Sequence, residues 1–451
     1  MKKQDRNENQ SFRADLTGIA LPVTLQSLLQ SSFGVVDQVM IGQLGSESIA
    51  GIGLGGKFIS VYTVVLGAVA AAAGIMVAQY VGARDRRRMG RGFYLNLILG
   101  LMLAGVFMGL CLFLPDRIMA LYTEDMAVKS QAVPYLRLYS FSFLLVAIST
   151  IMSVFLRCIG KAAFPLAASF ISVLLNTGLN YLLIFGKCGA PAMGVRGAAF
   201  ASVIAQAAAF AVTAVYFVKI VRDYCGGRLP VDICLTKEEW GQYLGVLVPI
   251  LVCEFMWSLG ENVYAAIYGH LGTQSCAAMT MTGPVQGLMI GLLSGVSQAA
   301  GIMIGRHLGR EAYEDAYRDA KRLMLCGAVG SAALSLLLVL AGRYYVLLYR
   351  VEPQVREITY RILVAFAIIS PIKVQNMILG GGIIRSGGMT RYVMWIDMIG
   401  TWIFGVPLGL FTAFVWHLPI PQVYFILSLE EVVRFLLSLV VFRRRNWMRR
   451  L

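Results

Sequence analysis

Residues 16–41 read LTGIALPVTLQSLLQSSFGVVDQVMI and contain one acidic residue, Asp37, and no base. About 20 predominantly apolar residues are enough for a helix to cross a hydrocarbon layer of roughly 30 Å. Over the whole chain of 451 residues, 58% are hydrophobic and only 14% are charged. The stretch therefore predicts a membrane-spanning helix, and the composition predicts an integral membrane protein.

Further apolar stretches of similar length follow the first one. They lie at 49–80, 93–115, 132–156, 162–185, 194–220, 240–269, 276–304, 323–349, 358–384, 391–416 and 420–442. The polar segment that precedes the first stretch lacks the short apolar core of a removable signal peptide, so we expect the first helix to be retained. The sequence thus predicts twelve transmembrane helices and no other class of secondary structure.

Lysine and arginine residues cluster at alternate ends of these helices. Of those at the helix ends and in the connecting segments, 27 lie on the side that holds the N-terminus, Arg385 and the tail RRRNWMRR at 443–450, and seven lie on the other side. Cytoplasmic loops carry such an excess of bases. The pattern predicts a multi-pass protein of the plasma (inner) membrane with both termini in the cytoplasm. It explains the net charge of +15 without nucleic acid as a partner, and we expect the tail to bind anionic lipid.

The first half of the chain recurs in the second half at a shift of 227 residues. AAGIM at 72–76 recurs at 299–303, and Pro22 aligns with Pro249. An even number of helices in each copy places both copies in the membrane in the same orientation. The halves are therefore expected to be parallel repeats.

The repeat predicts the domain organisation. We expect a six-helix lobe at 1–220, a cytoplasmic linker at 221–239 and a second six-helix lobe at 240–451. Parallel repeats suit a cavity that opens first to one side of the membrane and then to the other. The predicted fold class is an all-α integral membrane protein, with twelve transmembrane helices as two six-helix parallel repeats around a central cavity.

Polar side chains form two stripes in the N-terminal lobe. On the first helix Gln26, Gln30 and Asp37 share one face, and on the fifth helix Asn176 and Asn180 lie one turn apart. Polar groups at membrane depth are expected to face the bundle interior rather than lipid. We interpret the aspartate and the two asparagines as candidates for cation coupling, and the two glutamines as candidates for lining the substrate cavity.

Asp37 allows two interpretations. A carboxylate in a low-dielectric environment favours its neutral form, so it could carry a proton between two conformations. Alternatively, Lys57 lies at a similar depth on the second helix, and an ion pair between the two would leave nothing to titrate near pH 7. Because intramembrane acids are usually functional, coupling is favoured, and Lys57 is kept as a candidate cavity residue.

The C-terminal lobe carries its own intramembrane charges. Glu254 and Glu261 share a face of the seventh helix, Lys373 lies in the tenth helix, and Asp397 lies in the eleventh. Lys373 could pair with Glu254 or Asp397 as scaffold, or these groups could contact a cation or a substrate. Coupling candidates are Glu254 and Asp397. Cavity candidates are Glu261, Lys373 and Tyr264, the last of which stands at the repeat position of the first-helix aspartate.

In the last helix Glu430, Glu431 and Arg434 lie one turn apart and are expected to satisfy one another as structure.

Several enzyme and cofactor classes lack their residues. The eight cysteines are scattered without a CxxC pair, and the three histidines include no HExxH. The glycine-rich stretches lack the GK[ST] ending of a phosphate-binding loop. We therefore expect no enzyme activity, no cofactor and no firm metal site, apart from a possible Na+ near Asp37.

Motifs along nearly the whole chain carry a resemblance. They are GQLG and IAGIGLG between 42 and 55, QYVGARD at 79–85, FLRCIGK at 155–161, LLNTGLNYLLIFG at 174–186, MGVRGAA at 193–199 and ILGGGIIRSGGMT at 378–390. Together they resemble the multidrug and toxic compound extrusion (MATE) family of cation-coupled exporters. The resemblance implies two lobes, rocker-type alternating access, and export of organic cations or other metabolites against H+ or Na+.

The resemblance also implies roles for single residues. By position, Asp37 resembles the coupling aspartate of the family's first helix, and Glu254 resembles the acidic residue of its seventh helix. Asn176 and Asn180 match the asparagine-rich motif of its fifth helix. Many members have aspartate in place of Asn180, so Asp37 lacks a carboxylate partner here and a Na+ site near it is less well supplied with ligands. Met389 likewise stands where the family commonly has aspartate.

The predicted function is secondary active efflux of organic cations, drugs or metabolites by H+ or Na+ antiport through alternating access. The alternative is a flippase for a lipid-linked precursor, which a wide basic cavity with several inward arginines would favour. The expected partners are a small organic molecule and the lipid bilayer, and the protein is expected to be a monomer.

Overall fold

The computed structural model describes residues 2–41, 44, 46–187, 189, 191–227, 229–231, 236–347 and 352–451, without the side chains of residues 2–11, 13, 31–39, 46, 47, 273 and 276. The regular secondary structure in these ranges is entirely helical. The side chain of Asp37 lies outside the described residues, as do parts of the GQLG turn and of the predicted linker.

The chain divides into two compact units. One, the N-terminal unit, is Leu25–Leu235; the other, the C-terminal unit, is Thr236–Leu451 together with Met1–Thr24. The division falls inside the first helix, so its first half belongs to the C-terminal unit. The lobe boundaries that we infer from the sequence repeat stay a prediction.

Before the linker, the described residues form eight helices. They are α1 Lys2–Ile41, α2 Ser46–Gly82, α3 Arg86–Phe113, α4 Pro115–Ala120, α5 Met126–Tyr139, α6 Ser142–Cys158, α7 Ala163–Phe185 and α8 Val195–Cys225. The side chain of Asp85 accepts a hydrogen bond from the backbone of Arg88 and thereby caps α3. Helix α7 ends at Gly186, whose φ of 66° lies in the left-handed region that favours glycine.

The predicted span 132–156 is broken in the structure. Helices α5 and α6 meet at an angle of 48°. At the break the Ser140 hydroxyl donates to the Arg137 carbonyl, and the Ser142 hydroxyl donates to the Tyr139 carbonyl. Such back-bonding by serine competes with the helical hydrogen bonds and bends helices.

After the linker, the described part of the C-terminal unit contains eight further α-helices and three π-helices. The α-helices are α9 Lys237–His270, α10 Thr273–Gly309, α11 Tyr313–Leu347, α12 Pro353–Asn376, α13 Thr390–Met398, α14 Val406–Leu410, α15 Ile420–Leu427 and α16 Glu430–Arg443. The π-helices are π1 Met377–Ile384, π2 Ile399–Gly405 and π3 Phe411–Val415. Thr236 and Glu239 form a capping box that starts α9.

The helices account for the predicted spans. Within the described residues, nine helices are long and apolar enough to cross a membrane, and the bent pair α5 and α6 makes a tenth. Helix α1 covers the predicted span 16–41, and α15 with α16 covers 420–442. The all-α membrane fold class with twelve spans is therefore confirmed.

Helix π1 packs closely against α10. A Cβ added at Gly382 would lie 2.6 Å from the carbonyl oxygen of Ser297, so glycine is needed for this approach. The Ser297 hydroxyl donates a 2.6 Å hydrogen bond to the Met377 carbonyl. Because π-helical turns are wider than α-helical ones, the residues after π1 face directions that a period of 3.6 does not predict. Arg385 is the first of them.

The tail after α16 folds back onto its own unit. Trp447 is fully buried and stacks on Phe442, with ring centroids 5.6 Å apart. The guanidinium of Arg445 lies 4.0 Å from the centre of the Tyr317 ring. Arg445 and Arg450 form ion pairs with Glu314 and Glu311. Part of the tail's charge is thus matched within the protein, while lipid binding by the tail stays a prediction.

Candidate functional site

The C-terminal unit contains a cavity of about 650 Å³. Its walls come from α9, α10, α12, π1, α13 and α16. The charged side chains that line it are Glu254, Glu261, Lys373, Arg385, Asp397, Glu431 and Arg434. A cavity of this size, with a few convergent polar groups, is typical of small-molecule sites.

Arg385 connects two of the cavity's carboxylates. Its guanidinium lies 3.4 Å from the Glu254 carboxylate and 3.9 Å from that of Asp397. The Cys253 thiol lies between these groups: it donates to Asp397 at 2.9 Å and accepts from Arg385 at 3.1 Å. Glu254 and Asp397 keep 34% and 26% of their side-chain surface exposed, so both remain open to the cavity.

Arg434 is the more deeply buried of the two arginines. Its side chain is 9% exposed and lies 3.2 Å from Glu430 and 3.8 Å from Asp397. It also donates a hydrogen bond to the Thr401 hydroxyl. Glu430 in turn accepts a 2.5 Å hydrogen bond from Tyr264. Helices α9, π2 and α16 are therefore joined by one polar network around Arg434.

Lys373 belongs to a second pairing. Its ammonium lies 3.4 Å from the Glu431 carboxylate, which is 6% exposed. The Asn376 amide donates to the same carboxylate at 2.8 Å and to the Glu431 backbone carbonyl at 2.7 Å. A buried carboxylate needs such partners because its desolvation is costly.

A smaller cavity of about 80 Å³ shares Glu261, Gln286, Lys373 and Glu431 with the larger one. Glu430 and three tyrosines, Tyr264, Tyr268 and Tyr424, also line it. Counting both cavities, five carboxylates (Glu254, Glu261, Asp397, Glu430 and Glu431) face three bases (Arg385, Lys373 and Arg434). With every group ionised, the site has a formal excess of two negative charges.

Glu261 differs from the other carboxylates. In the part of the chain that the structure describes, it forms no ion pair and no hydrogen bond, although it lines both cavities. Its charge acts on Lys373, which lines the same two cavities, but the two groups do not form an ion pair closer than 4 Å in the described residues.

The structure corrects one expectation about an ion pair and one about the location of an arginine. Lys373 does not pair with Glu254 or Asp397; it pairs with Glu431, and Arg385 occupies the position between the two acids. Arg385, which we count among the bases outside the spans, is only 14% exposed.

The expected mutual pairing of the acids and the base in the last helix holds in part. Arg434 and Glu430 pair within α16, whereas Glu431 pairs with α12.

The N-terminal unit contains the other predicted polar groups. Asn180 donates to Asn176 at 2.8 Å, Asn176 donates to Ser202 at 3.1 Å, and both asparagines are buried. Gln26 donates to Ser169 at 2.8 Å, which joins the two predicted stripes. Gln30 and Lys57 are exposed. Whether Lys57 pairs with Asp37 falls outside the described residues, so the coupling role of this stripe stays a prediction.

Some residues that line the two cavities were not predicted from the sequence. Arg385 is missed because π1 changes the helical register, and Gln286 and Tyr424 carry no sequence signal. Trp257 does carry a sequence signal, because it lies one turn before Glu261 on the same face of α9. Among the described residues, no cluster of histidine, cysteine, aspartate or glutamate has the arrangement of a metal site.

A polytopic helical membrane protein with ionisable groups around an internal cavity has the characteristics of a transporter. The MatE family model matches residues 22–182 and 249–411, once in each half of the chain. The chain belongs to this family, the multidrug and toxic compound extrusion transporters, and it is a multi-pass membrane protein of a transporter family rather than an enzyme family.

Curated relatives agree with the family. The chain is 26% identical over 446 residues to the "Probable multidrug resistance protein NorM" of Chromobacterium violaceum, covering 94% of this chain and 91% of that protein. It is 28% identical over 274 residues to the protein of the same name from Thermotoga maritima, covering 60% of this chain and 58% of that protein. The match to the second relative thus spans little more than half of its length.

Solved structures share the fold. The MATE transporter VcmN of Vibrio cholerae in its bent form has a TM-score of 0.87 at 17% identity, over 98% of this chain and 100% of that chain. A MOP superfamily transporter from Pyrococcus furiosus, described by a binding pocket of reverse polarity and a different function, has a TM-score of 0.84 at 16% identity, over 96% and 95%. Identities this low show the fold alone. The flippase alternative gains no support from these comparisons.

Proposed function

We propose that this protein is a secondary active exporter of organic cations, drugs or metabolites, driven by H+ or Na+ antiport. The substrate site opens alternately to the two sides of the plasma (inner) membrane. The protein works as a monomer with both termini in the cytoplasm and uses no cofactor other than the coupling ion. The small-molecule substrate is the transported partner, and the bilayer is the solvent of the spans.

The observation that carries this proposal is the charge of the C-terminal cavity. Five carboxylates against three bases in a largely buried space favour a positively charged ligand. The partial exposure of Glu254 and Asp397 leaves them able to exchange Arg385 for an incoming cation. In one state the internal bases pair with the carboxylates, and in the other state a bound cation replaces those bases. A ligand that binds one state more tightly shifts the equilibrium toward that state.

The coupling step is assigned to two groups of residues. Asp37 with Asn176 and Asn180 forms the candidate coupling site of the N-terminal unit, and Glu254 with Asp397 forms that of the C-terminal unit. A tenfold pH gradient supplies about 1.4 kcal/mol per proton, and a potential of about 100 mV supplies about 2.3 kcal/mol per charge. Either source is sufficient to move a cation against a concentration gradient.

The test is efflux of a fluorescent organic cation from proteoliposomes under an imposed pH gradient without Na+. Wild type is compared with Asp37→Asn, Glu254→Gln and the control Glu238→Gln, which alters an exposed glutamate in the first turn of α9. We expect efflux from wild type and the control and a loss of proton-driven efflux in Asp37→Asn.

Three other outcomes of this efflux measurement would change the proposal. Efflux that begins only after Na+ is added would replace H+ by Na+ as the coupling ion. If Asp37→Asn transports as wild type does and Glu254→Gln does not, coupling belongs to the C-terminal unit. Absence of gradient-driven efflux under both ions would reject the antiport proposal.

A further inference from the structure

One face of α9 runs along both cavities of the C-terminal unit. Trp257, Glu261, Tyr264 and Tyr268 follow one another at spacings of four, three and four residues, so they lie in one row along the helix. Trp257 lines only the larger cavity, Glu261 lines both, and the two tyrosines line only the smaller one. The row therefore leads from an aromatic surface, past a carboxylate, into an aromatic recess.

One carboxylate of the smaller cavity lies outside the ion pairs closer than 4 Å, although its charge acts on Lys373 in the same cavity. The charged groups that line it are Glu261 from α9, Lys373 from α12, and Glu430 and Glu431 from α16. Lys373 pairs with Glu431, and Arg434 pairs with Glu430. Glu261 forms no ion pair closer than 4 Å within the described residues, and it supplies the one negative charge that remains after these two pairings, the second of which uses an arginine outside the lining.

Aromatic side chains make the same cavity favourable for a cation. Tyr264 and Tyr424 already donate their hydroxyl hydrogens, to Glu430 and to Gln286 respectively. Neither hydroxyl is therefore a free donor for an anion. Phe366 adds a further ring to the lining. A cation near aromatic faces and beside a carboxylate is stabilised by the ring quadrupoles as well as by the charge.

The size of the smaller cavity restricts what can enter it. Its volume of about 80 Å³ compares with roughly 30 Å³ per molecule in liquid water. An ammonium group with its adjoining carbon fits this space, whereas a polycyclic ring system does not. The larger cavity, at about 650 Å³, has room for such a ring system, and Trp257 in its wall is 46% exposed.

We propose that the smaller cavity is a subsite for the ammonium group of an aromatic amine, that Glu261 is the carboxylate that binds this group, and that Trp257 in the larger cavity contacts the planar body. The subsite deepens the proposed function, on which its role in transport rests, because it names the substrate class that the C-terminal cavity takes. Glu261 is distinct from the coupling candidates Glu254 and Asp397, which have arginine partners.

The test uses tryptamine and tryptophol, which share the same indole body and differ in a terminal ammonium or hydroxyl group. Binding to the full-length protein in lipid nanodiscs is measured by isothermal titration calorimetry near pH 7. We expect wild type to bind tryptamine at least about tenfold more tightly, since a hydrogen bond to a charged group contributes more than one to a neutral group. Glu261→Gln removes this preference and leaves the Kd of tryptophol unchanged within about twofold.

Three further variants define the effect. Glu261→Asp keeps the charge and retains a preference for tryptamine, and Glu238→Gln on the exposed first turn of α9 behaves as wild type. Trp257→Ala weakens both ligands alike, because it removes the contact with the shared body. A wild type that binds the two ligands equally would overturn the proposal without any variant, and so would a Glu261→Gln protein that keeps the preference.

The binding and efflux measurements distinguish an error in the subsite proposal from an error in the transport proposal. If wild type exports the fluorescent cation under a gradient but shows no preference for tryptamine, the exporter stands and the subsite is wrong. If wild type prefers tryptamine through Glu261 but exports no cation, the subsite stands and the antiport proposal is wrong.

Discussion

At the scale of single residues, Arg434 is the counterion of the buried Glu430 of α16 and one of the two counterions of the partly exposed Asp397 of α13. It lies within 4 Å of both Glu430 and Asp397, and its side chain is 9% exposed. A buried ion pair adds little net stability compared with an apolar pair of the same shape, but removal of one partner leaves an uncompensated charge. The cost of losing Arg434 is therefore larger than the value of the contacts that it forms.

We expect Arg434→Met to destabilise the C-terminal unit by about 3–5 kcal/mol, because the buried Glu430 would lose its counterion while Asp397 would keep Arg385. The measurement is the midpoint of thermal unfolding in detergent, with Arg443→Met as the control, since Arg443 is an exposed base on the same helix. Adding Glu430→Gln to Arg434→Met should recover part of the loss. An unchanged midpoint for the single variant would show that water or lipid, not Arg434, compensates these acids.

The sequence identifies the charged groups of the cavity but not their partners. It places Glu254, Glu261, Lys373 and Asp397 inside the membrane, and all four line the cavity. It does not anticipate Arg385 between Glu254 and Asp397. Spacing along one helix predicts which side chains share a face, whereas pairing between helices depends on how each helix is rotated about its axis.

At the scale of elements, three π-helices distinguish the C-terminal unit. Two of them, π1 and π2, lie next to the charged network. Arg385 directly follows π1, and the Thr401 hydroxyl of π2 accepts a hydrogen bond from Arg434. π-helical turns occur frequently at functional sites. Glycine permits close contacts between these segments and their neighbours. A Cβ at Gly405, the last residue of π2, would collide with Tyr264 and Glu430.

The tail is a second element whose role is visible only in the folded chain. Its Trp447 is fully buried, packs in a stack with Phe442 and Tyr317, and donates a 3.1 Å hydrogen bond to the Phe442 carbonyl. The backbone of Trp447 also lies against Gly387, two residues after Arg385. The tail therefore supports the end of the segment that supplies the cavity's arginine.

We expect Trp447→Ala to destabilise the protein by about 3–5 kcal/mol through the cavity that it leaves. The readout is the unfolding midpoint in detergent, compared with Trp416→Ala, since Trp416 is 57% exposed and should lose much less. Equal losses for the two variants would mean that the tail does not pack stably against its unit in solution.

At the scale of the whole molecule, the distribution of bases predicts orientation. Single cysteines are introduced into a cysteine-free background at Lys187→Cys, between α7 and α8, and at Arg444→Cys, in the tail; both positions are exposed. A membrane-impermeant maleimide should label the first in intact spheroplasts and the second only after permeabilisation, because loops rich in bases stay in the cytoplasm. The reverse pattern would place the termini outside.

Composition, apolar length and the internal repeat were sufficient to assign the membrane class and the twelve spans, and the motifs along the chain were sufficient for the resemblance to the MATE family, because these signals are properties of short segments added along the chain. The bend between α5 and α6, the three π-helices and the pairing of Lys373 with Glu431 required the folded chain. Each of them depends on contacts between residues far apart in sequence or on a local change of helical register. The cavity is the sum of such contacts, with its counterions Arg385 and Arg434 and with Glu261, which has no ion pair closer than 4 Å in the described part of the chain.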